Sequence, residues 1–195
     1  SISAYCGALA TSLAVMVANL SSHKRGWDEK WKYFSDWGEI GMVLQKQLID
    51  LVDEDTNAFN SIIKAFSLPK ETSKEKKLRS VEIQKATRNA IEVPFKIMQL
   101  SFDSLPLIKE MAKNGNPNSI TDAGVAMHCA KAAINGAFLN VRINCKDLKD
   151  KESNLTFFRD LYQASDEAHA LIILTEWEDY KKINVGSSVK IKGNL

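Results

Sequence analysis

SISAYCGALATSLAVMVANL, residues 1–20, contains no Asp, Glu, Lys or Arg, and this stretch decides the fold. Small residues recur along it at Ala4, Gly7, Ala8, Thr11, Ser12, Val15 and Ala18. A helix without a polar side must be covered by protein all round. The stretch therefore predicts a helix from about Ser3 to Ser21, buried in a helical bundle and at a subunit interface.

Length alone would also let residues 2–20 cross a bilayer. A signal peptide would begin with Met and basic residues, and this sequence begins with neither. Ala, Gly and Ser are more prominent here than Leu and Ile, which favours burial inside protein over a membrane span. Because the first residue is not Met, we expect the start of the natural chain, or an upstream domain, to be missing.

The overall composition is that of an ordinary soluble globular protein, with 195 residues, 45% hydrophobic and 26% charged. The net charge of +2 argues neither for nor against an anionic partner, but the lack of a dense Lys/Arg patch with interleaved aromatic residues argues against nucleic acid. Three cysteines, none spaced as CxxC, predict free thiols in a reducing cytoplasm. The histidines are scattered and no HExxH, P-loop, GxGxxG or GxSxG occurs, so no metal site is predicted.

Helical spacing of apolar residues continues through most of the chain, and Pro and Gly are scarce. A long second helix should end near Leu68, before a proline. Thr72 and Glu75 form a capping-box pattern that starts a third helix. Pro94 fits the first turn of a fourth helix, or a kink, and that helix should close at Gly115.

Ser119 and Asp122 look like a capping pair for a fifth helix that ends at about Lys146. A last helix should cover roughly 155–182. The fold class predicted is all-α, a single-domain bundle of long helices that dimerises.

A stripe of small and polar side chains follows one side of the fifth helix. With Asp122 at zero and about 100° per residue, the following fall within about 60° of it: Ala126, Cys129, Ala133, Gly136, Ala137, Asn140 and Asn144. The stripe indicates close helix packing with amides that satisfy backbone groups, or a groove whose floor admits a flat ligand. Spacing alone favours packing.

Two further polar residues can each be interpreted as a solvent-exposed side chain or as part of a site. Carboxylates near the middle of a helix are usually exposed, but Asp55 lies among Val52, Ala58 and Phe59, which makes partial burial the alternative. Lys70 lies in the turn after the second helix, where a solvated lysine is the default and an anionic ligand the alternative.

Five strings stand out in order along the chain: the first 27 residues, LVDEDTNAFNSIIKAFSLPKET, IEVPFKIM, GNPNSITDAGVA and GAFLNVRIN. Together they resemble the formimidoyltetrahydrofolate cyclodeaminase family. The family includes the cyclodeaminase half of formiminotransferase-cyclodeaminase and stand-alone methenyltetrahydrofolate cyclohydrolases. The resemblance covers about residues 1–150 and implies a helical, homodimeric subunit over 1–184 with a tail at 185–195. A glycine-rich loop and an N-terminal helix that normally precede the Ser-Ile-Ser start are missing here.

The resemblance implies a reaction in which 5-formimidoyltetrahydrofolate closes to 5,10-methenyltetrahydrofolate and ammonia leaves, a step of histidine degradation. The ligand is a tetrahydrofolate (poly)glutamate, without a metal or redox cofactor. Asp122 is the expected proton-transferring group and Asp55 its rival. Substrate contacts are expected from Lys70, Asn116, Asn118, Asn140, Arg142 and Asn144, with amides on the pterin and cations on the glutamates. Hydrolysis of the methenyl compound and a non-catalytic helical dimerisation module stay open as alternatives.

Overall fold

The computed structural model describes residues 1–148, which are helical and contain no strand. The predicted helix at 155–182, the tail at 185–195 and the boundary at 184 lie outside the described residues. The helices are α1 (Ile2–Ser22), α2 (Trp31–Phe66), α3 (Ser73–Asp103), α4 (Leu105–Asn114) and α5 (Ile120–Asn144), with 3-10 turns at Asp28–Lys30, Pro117–Ser119 and Cys145–Asp147. The all-α prediction is confirmed.

The long helices alternate in direction. α1 runs antiparallel to α2, because the Ser1 amino group donates to Val52 O at 3.0 Å while Gln45 Nε2, two turns earlier on α2, donates to Ser12 Oγ at 2.6 Å. α1 packs mainly on α2 and α5. α3 also packs on α2 and α5, and it makes much less contact with α1. The start of α1 meets α2 at Val52, so the rest of α2 extends beyond α1. The first half of α3 lies beside that part of α2, and together they form a two-helix arm.

Pro94 does not begin a fourth helix, as the sequence suggested. It lies inside α3, which continues to Asp103. Proline lacks an N–H, so the carbonyl of Ala90, four residues earlier, loses its usual helical donor. Asn144 Nδ2 of α5 donates to that carbonyl at 2.7 Å. The proline in a first turn is instead Pro106, near the start of α4.

α1 is buried over most of its circumference, as the uncharged sequence requires. Its alanines lie in two core clusters, one around Ala10 and Ala14 and one around Ala4 and Ala8. One side nevertheless stays open, with large side chains exposed at Ile2, Tyr5, Leu9, Met16 and Leu20. By length and composition α1 could also span a bilayer, and half of its most apolar 18-residue window is buried in the bundle.

Candidate functional site

The predicted site residues fall at two opposite ends of α5. Near its start, the Asn116 N–H donates to Ser21 Oγ, at the end of α1. Near its other end, Gly136 lies directly against Ser3, at the beginning of α1. Asp122 and Asn140 are 18 positions apart on α5, which corresponds to about 27 Å at ~1.5 Å per residue. One subunit therefore does not bring the two ends into one contact.

At the first end, which we call the Asp122 end, the loop before α5 is held by its own hydrogen bonds. Ser21 Oγ accepts from the Asn116 N–H at 2.8 Å and donates to Val17 O at 2.6 Å. Asn116 Oδ1 accepts from the Asn118 N–H at 3.2 Å, and the Asn118 side chain is exposed. The polar loop is thus attached to the last turn of α1 and leads the chain into α5.

Asp122 is half-buried in the first turn of α5. The predicted capping pair with Ser119 is wrong, because Ser119 occupies the N-cap position without a side-chain hydrogen bond to the helix. Its backbone turns through a 3-10 segment instead of the extended conformation that capping needs. Ser119 and Asp122 therefore do not form a capping pair.

At the second end, which we call the Asn140 end, Asn140 and Asn144 are half-buried and Arg142 is exposed. Asn144 performs the backbone-satisfying role that close packing predicted, through its bond to Ala90 O. Asp55 is half-buried on α2, one turn beyond the carbonyl that holds the Ser1 amino group. This end thus gathers a carboxylate and two amides around the start of α1.

The small residues between the two ends do not line a groove. Ala126, Ala133 and Ala137 are buried, and the first belongs to the core cluster with Ala10 while the third belongs to the cluster with Ala4. Close helix packing, the interpretation that spacing favoured, is therefore confirmed for these alanines, and the alternative of a flat-ligand floor along the middle of the stripe is wrong. Small side chains are needed there because α1 and α5 approach closely.

Lys70 lies on a groove of about 400 Å³ where the arm meets the end of α5. Lys76 and Arg79 line the same groove, and Asp147 closes it. Arg79 Nη2 donates to Phe66 O at 3.1 Å, which fixes the guanidinium beside the end of α2. The groove therefore presents three cations and one carboxylate, on the same side of the molecule as the Asn140 end.

A larger groove of about 760 Å³ runs between α2 and α3 along the arm, and no sequence pattern indicated it. Its walls carry Lys64, Lys85 and Arg88 together with Glu82 and Glu92. The groove thus carries three cations and two carboxylates, a mixed lining that does not strongly favour either sign of ligand charge. No cluster of potential metal ligands occurs among residues 1–148.

Sequence reasoning also missed a polar contact that lies 77 positions apart in the chain. Tyr33 Oη donates to Glu110 Oε1, which also accepts from Asn114 Nδ2. Burial and the bond to Glu110 raise the pKa of Tyr33, while the donated hydrogen bonds lower the pKa of Glu110 against the opposing effect of burial. The contact ties α2 to α4 and leaves Glu110 charged.

The all-helical bundle is similar to a solved enzyme structure. The crystal structure of formiminotetrahydrofolate cyclodeaminase from Thermotoga maritima aligns with a TM-score of 0.66 and 27% identity, over 76% of this chain and 70% of that chain. A family model described as formiminotransferase-cyclodeaminase matches residues 1–159. The chain belongs to the formiminotransferase-cyclodeaminase family.

Two relatives show how the family is built. A methenyltetrahydrofolate cyclohydrolase of Methylorubrum extorquens is 33% identical over 86% of this chain and 81% of its own length. A formimidoyltransferase-cyclodeaminase of Rattus norvegicus is 31% identical over 89% of this chain, but the match covers 32% of that protein. The chain thus spans most of the first relative and about a third of the second.

Proposed function

We propose that this protein converts 5-formimidoyltetrahydrofolate to 5,10-methenyltetrahydrofolate with release of ammonia. The observation that carries the proposal is the family match over residues 1–159, which supports folate-dependent one-carbon chemistry. In this reaction N10 attacks the formimidoyl carbon, the N10 proton is removed, and the former imine nitrogen leaves as ammonia. The chemistry needs one group that takes the first proton and one that protonates the departing nitrogen.

Asp122 and Asp55 are the candidates for proton transfer. Both carboxylates are half-buried, which keeps them accessible to a ligand while limiting water around them. Asp122 lies in the first turn of a 25-residue helix, close to the exposed N–H groups at the helix start. A charged carboxylate can accept the N10 proton and then return it to the leaving nitrogen. Asp55 would do the same at the Asn140 end.

The remaining predicted residues would position the folate. Amides of Asn118 and Asn140 offer donors and acceptors to the pterin edge, whereas the bonds already made by Asn116 and Asn144 restrict theirs. The Lys70 groove suits the anionic glutamate tail, because Lys76 and Arg79 add to its charge. Holding N10 near the carbon supplies much of the rate in such a ring closure.

Hydrolysis of 5,10-methenyltetrahydrofolate to the 10-formyl compound is the second candidate. The Methylorubrum extorquens cyclohydrolase favours it, since that relative is matched over 81% of its length without a large unmatched domain. The same carboxylates would then activate water. A non-catalytic dimerisation module is the third reading, and it requires no folate binding.

One pair of assays separates these readings. Purified protein is given 5-formimidoyltetrahydrofolate while ammonia release is measured, and 5,10-methenyltetrahydrofolate while its hydration is measured. Ammonia release above the hydration rate supports the cyclodeaminase, and the reverse supports the cyclohydrolase. Absence of both activities, together with no heat of binding for a tetrahydrofolate polyglutamate, would leave only the dimerisation module.

A further inference from the structure

The buried hydroxyl of Ser21, near the end of α1, holds the loop that joins α4 to α5, residues 115–119. Ser21 Oγ accepts from the Asn116 N–H at 2.8 Å and donates to Val17 O at 2.6 Å. The preceding loop residue, Gly115, lies against the same turn of α1, since a Cβ added to it would come within 2.9 Å of Val17 Cγ1. Two consecutive residues of the loop therefore rest on the last turns of α1.

Asn116 extends this anchorage to the rest of the loop. Its side-chain Oδ1 accepts from the Asn118 N–H at 3.2 Å, and its backbone carbonyl accepts from the Ser119 N–H at 2.9 Å. Asn116 thus uses its N–H, its carbonyl and its side chain to hold a short turn in one shape. The Asn118 side chain is exposed, so its amide is accessible to a ligand at the Asp122 end.

The position of Asp122 depends on the helix rather than on the loop. Asp122 lies in the first turn of α5 beside Ala123, which is fully buried in the core cluster that contains Ala10 and Ala14. Packing of α5 on α1 therefore holds the backbone of Asp122 independently of the Ser21 bond. Release of the loop should displace Asn118 and leave Asp122 in place.

We propose that Ser21 is a positioning residue for the folate, because its bond to the Asn116 N–H fixes the turn that presents the Asn118 amide to the pterin edge. A hydrogen bond weakens steeply as its length and angle leave the optimum, so a small displacement of the turn reduces binding. A hydroxyl inside the bundle thereby sets the affinity for a ligand that it does not touch. The inference rests on the proposed function, which assigns Asn118 to the folate.

Two adjacent serines of α1 provide a matched test. Ser22 is also buried, and its Oγ donates to Asn19 O at 2.9 Å, within α1 itself. Ser21→Ala should raise KM for the folate substrate, and the calorimetric Kd for tetrahydrofolate, roughly tenfold, with kcat changed less than about twofold. Ser22→Ala should change none of these constants. Equal KM values in the two variants overturn the proposal.

Ser21→Cys separates the hydrogen bond from packing. A thiol fills the space of the hydroxyl but is a weak acceptor, so Ser21→Cys should raise KM as Ser21→Ala does. A wild-type KM in Ser21→Cys beside a raised KM in Ser21→Ala would assign the effect to a cavity and overturn the positioning role.

A double-mutant cycle tests whether Ser21 acts through Asn118. Asn118→Ala alone should raise KM roughly tenfold, and in that background Ser21→Ala should raise it by less than about twofold further. Effects that multiply, or a wild-type KM in Asn118→Ala, overturn the proposal. Because Asn118 is exposed, its single variant decides the matter even if the Ser21 variants do not fold.

Hydrogen exchange reports on the loop without any activity. The amides of residues 115–119 should exchange faster in Ser21→Ala than in the wild type or in Ser22→Ala, and unchanged exchange overturns the anchoring role. If the wild-type protein acts on neither folate, the proposed function fails. An active wild type with faster loop exchange but unchanged KM in Ser21→Ala overturns only the positioning role, so the two failures are distinguishable.

Discussion

At the scale of single residues, glycines set how closely α1 and α2 approach. Gly41 of α2 lies against Val15 of α1 and Leu107 of α4, and an added Cβ would overlap Val15 and come within 2.7 Å of Leu107 Cδ2. Gly124 of α5 has no heavy atom within 4 Å of the position that a Cβ would take. The two positions therefore form a matched pair with opposite expectations.

We predict that Gly41→Ala lowers the free energy of unfolding by about 1–3 kcal/mol, as overpacking of a filled core does. Gly124→Ala should raise it by up to about 1 kcal/mol, because alanine costs less backbone entropy in a helix than glycine. Urea unfolding of both variants measures the difference. Equal effects at the two positions would contradict the close packing of α1 on α2.

Asp122 and Asp55 are ranked by the same substitution. Asp122→Asn keeps the size of the side chain, and no capping bond from Ser119 depends on the carboxylate. We predict a fall in kcat of roughly 10²–10⁴-fold with little change in melting temperature, as for loss of a general base. Asp55→Asn gives the rival measurement, and Asp53→Asn, an exposed neighbour, is the control. Normal turnover in Asp122→Asn removes it from the chemistry.

At the scale of helices, α3 and α5 depend on each other through Pro94. The proline leaves Ala90 O without its backbone donor, and Asn144 replaces that donor from the neighbouring helix. Sequence patterns could not foresee this compensation, because Pro94 and Asn144 are 50 positions apart. The local proline rule predicted a new helix or a kink at Pro94, whereas α3 continues through Pro94 to Asp103 with Asn144 as the replacement donor.

We predict that Asn144→Ala lowers the free energy of unfolding by about 1–3 kcal/mol, the cost of a buried acceptor left without a partner. In a Pro94→Ala background the residue at 94 regains an N–H, which can bond Ala90 O. The loss caused by Asn144→Ala should then fall to less than half. A double-mutant cycle by urea unfolding measures the coupling, and additive effects would show that the amide does not replace the missing donor.

Local patterns succeeded where the determining contacts are themselves local. The Thr72–Glu75 capping box is present, since Glu75 N–H donates to Thr72 Oγ1 at 3.2 Å and Glu75 Oε2 accepts from the Thr72 N–H at 2.8 Å. All four atoms lie within one turn. The ends of α1 and the last residue of α2 likewise lie within two residues of the predicted positions. The uncharged run of α1 and the proline that follows α2 are both local signals.

The capping box also predicts a dependence on pH. The hydrogen bond from the Thr72 N–H lowers the pKa of Glu75, so its folded form holds the charged carboxylate more tightly than the unfolded chain does. This contribution is therefore present above the unfolded pKa and disappears as the pH falls through the folded value. Glu75→Gln should flatten the acid limb of stability against pH. An unchanged acid limb in thermal melts would contradict the box as a charged cap.

At the scale of the whole molecule, the sequence predicted an apolar excess but not where polar residues would meet. An uncharged α1 required cover on all sides, and the structure leaves one side of it open. On a helical wheel, the stripe on α5 allowed either close packing or one groove with polar groups at both ends. A wheel shows only the angle around the helix axis and omits the ~27 Å of rise between Asp122 and Asn140. This separation along the axis keeps the two polar ends from meeting within one subunit.

The Lys70 groove and the bundle together predict how the length of the ligand matters. If Lys70 binds the glutamate tail while the pterin lies at the Asn140 end, a polyglutamylated folate should bind more tightly than a monoglutamate, and added salt should erode the difference.

Lys70→Ala should raise KM for the polyglutamate several-fold and spare kcat, because the tail contact is equal in the ground and transition states. Lys77→Ala, an exposed lysine of α3 that does not line the groove, is the control and should change neither constant. Steady-state kinetics at two ionic strengths measure both variants. A collapse of kcat in Lys70→Ala with KM unchanged would move Lys70 from tail binding to the reaction itself.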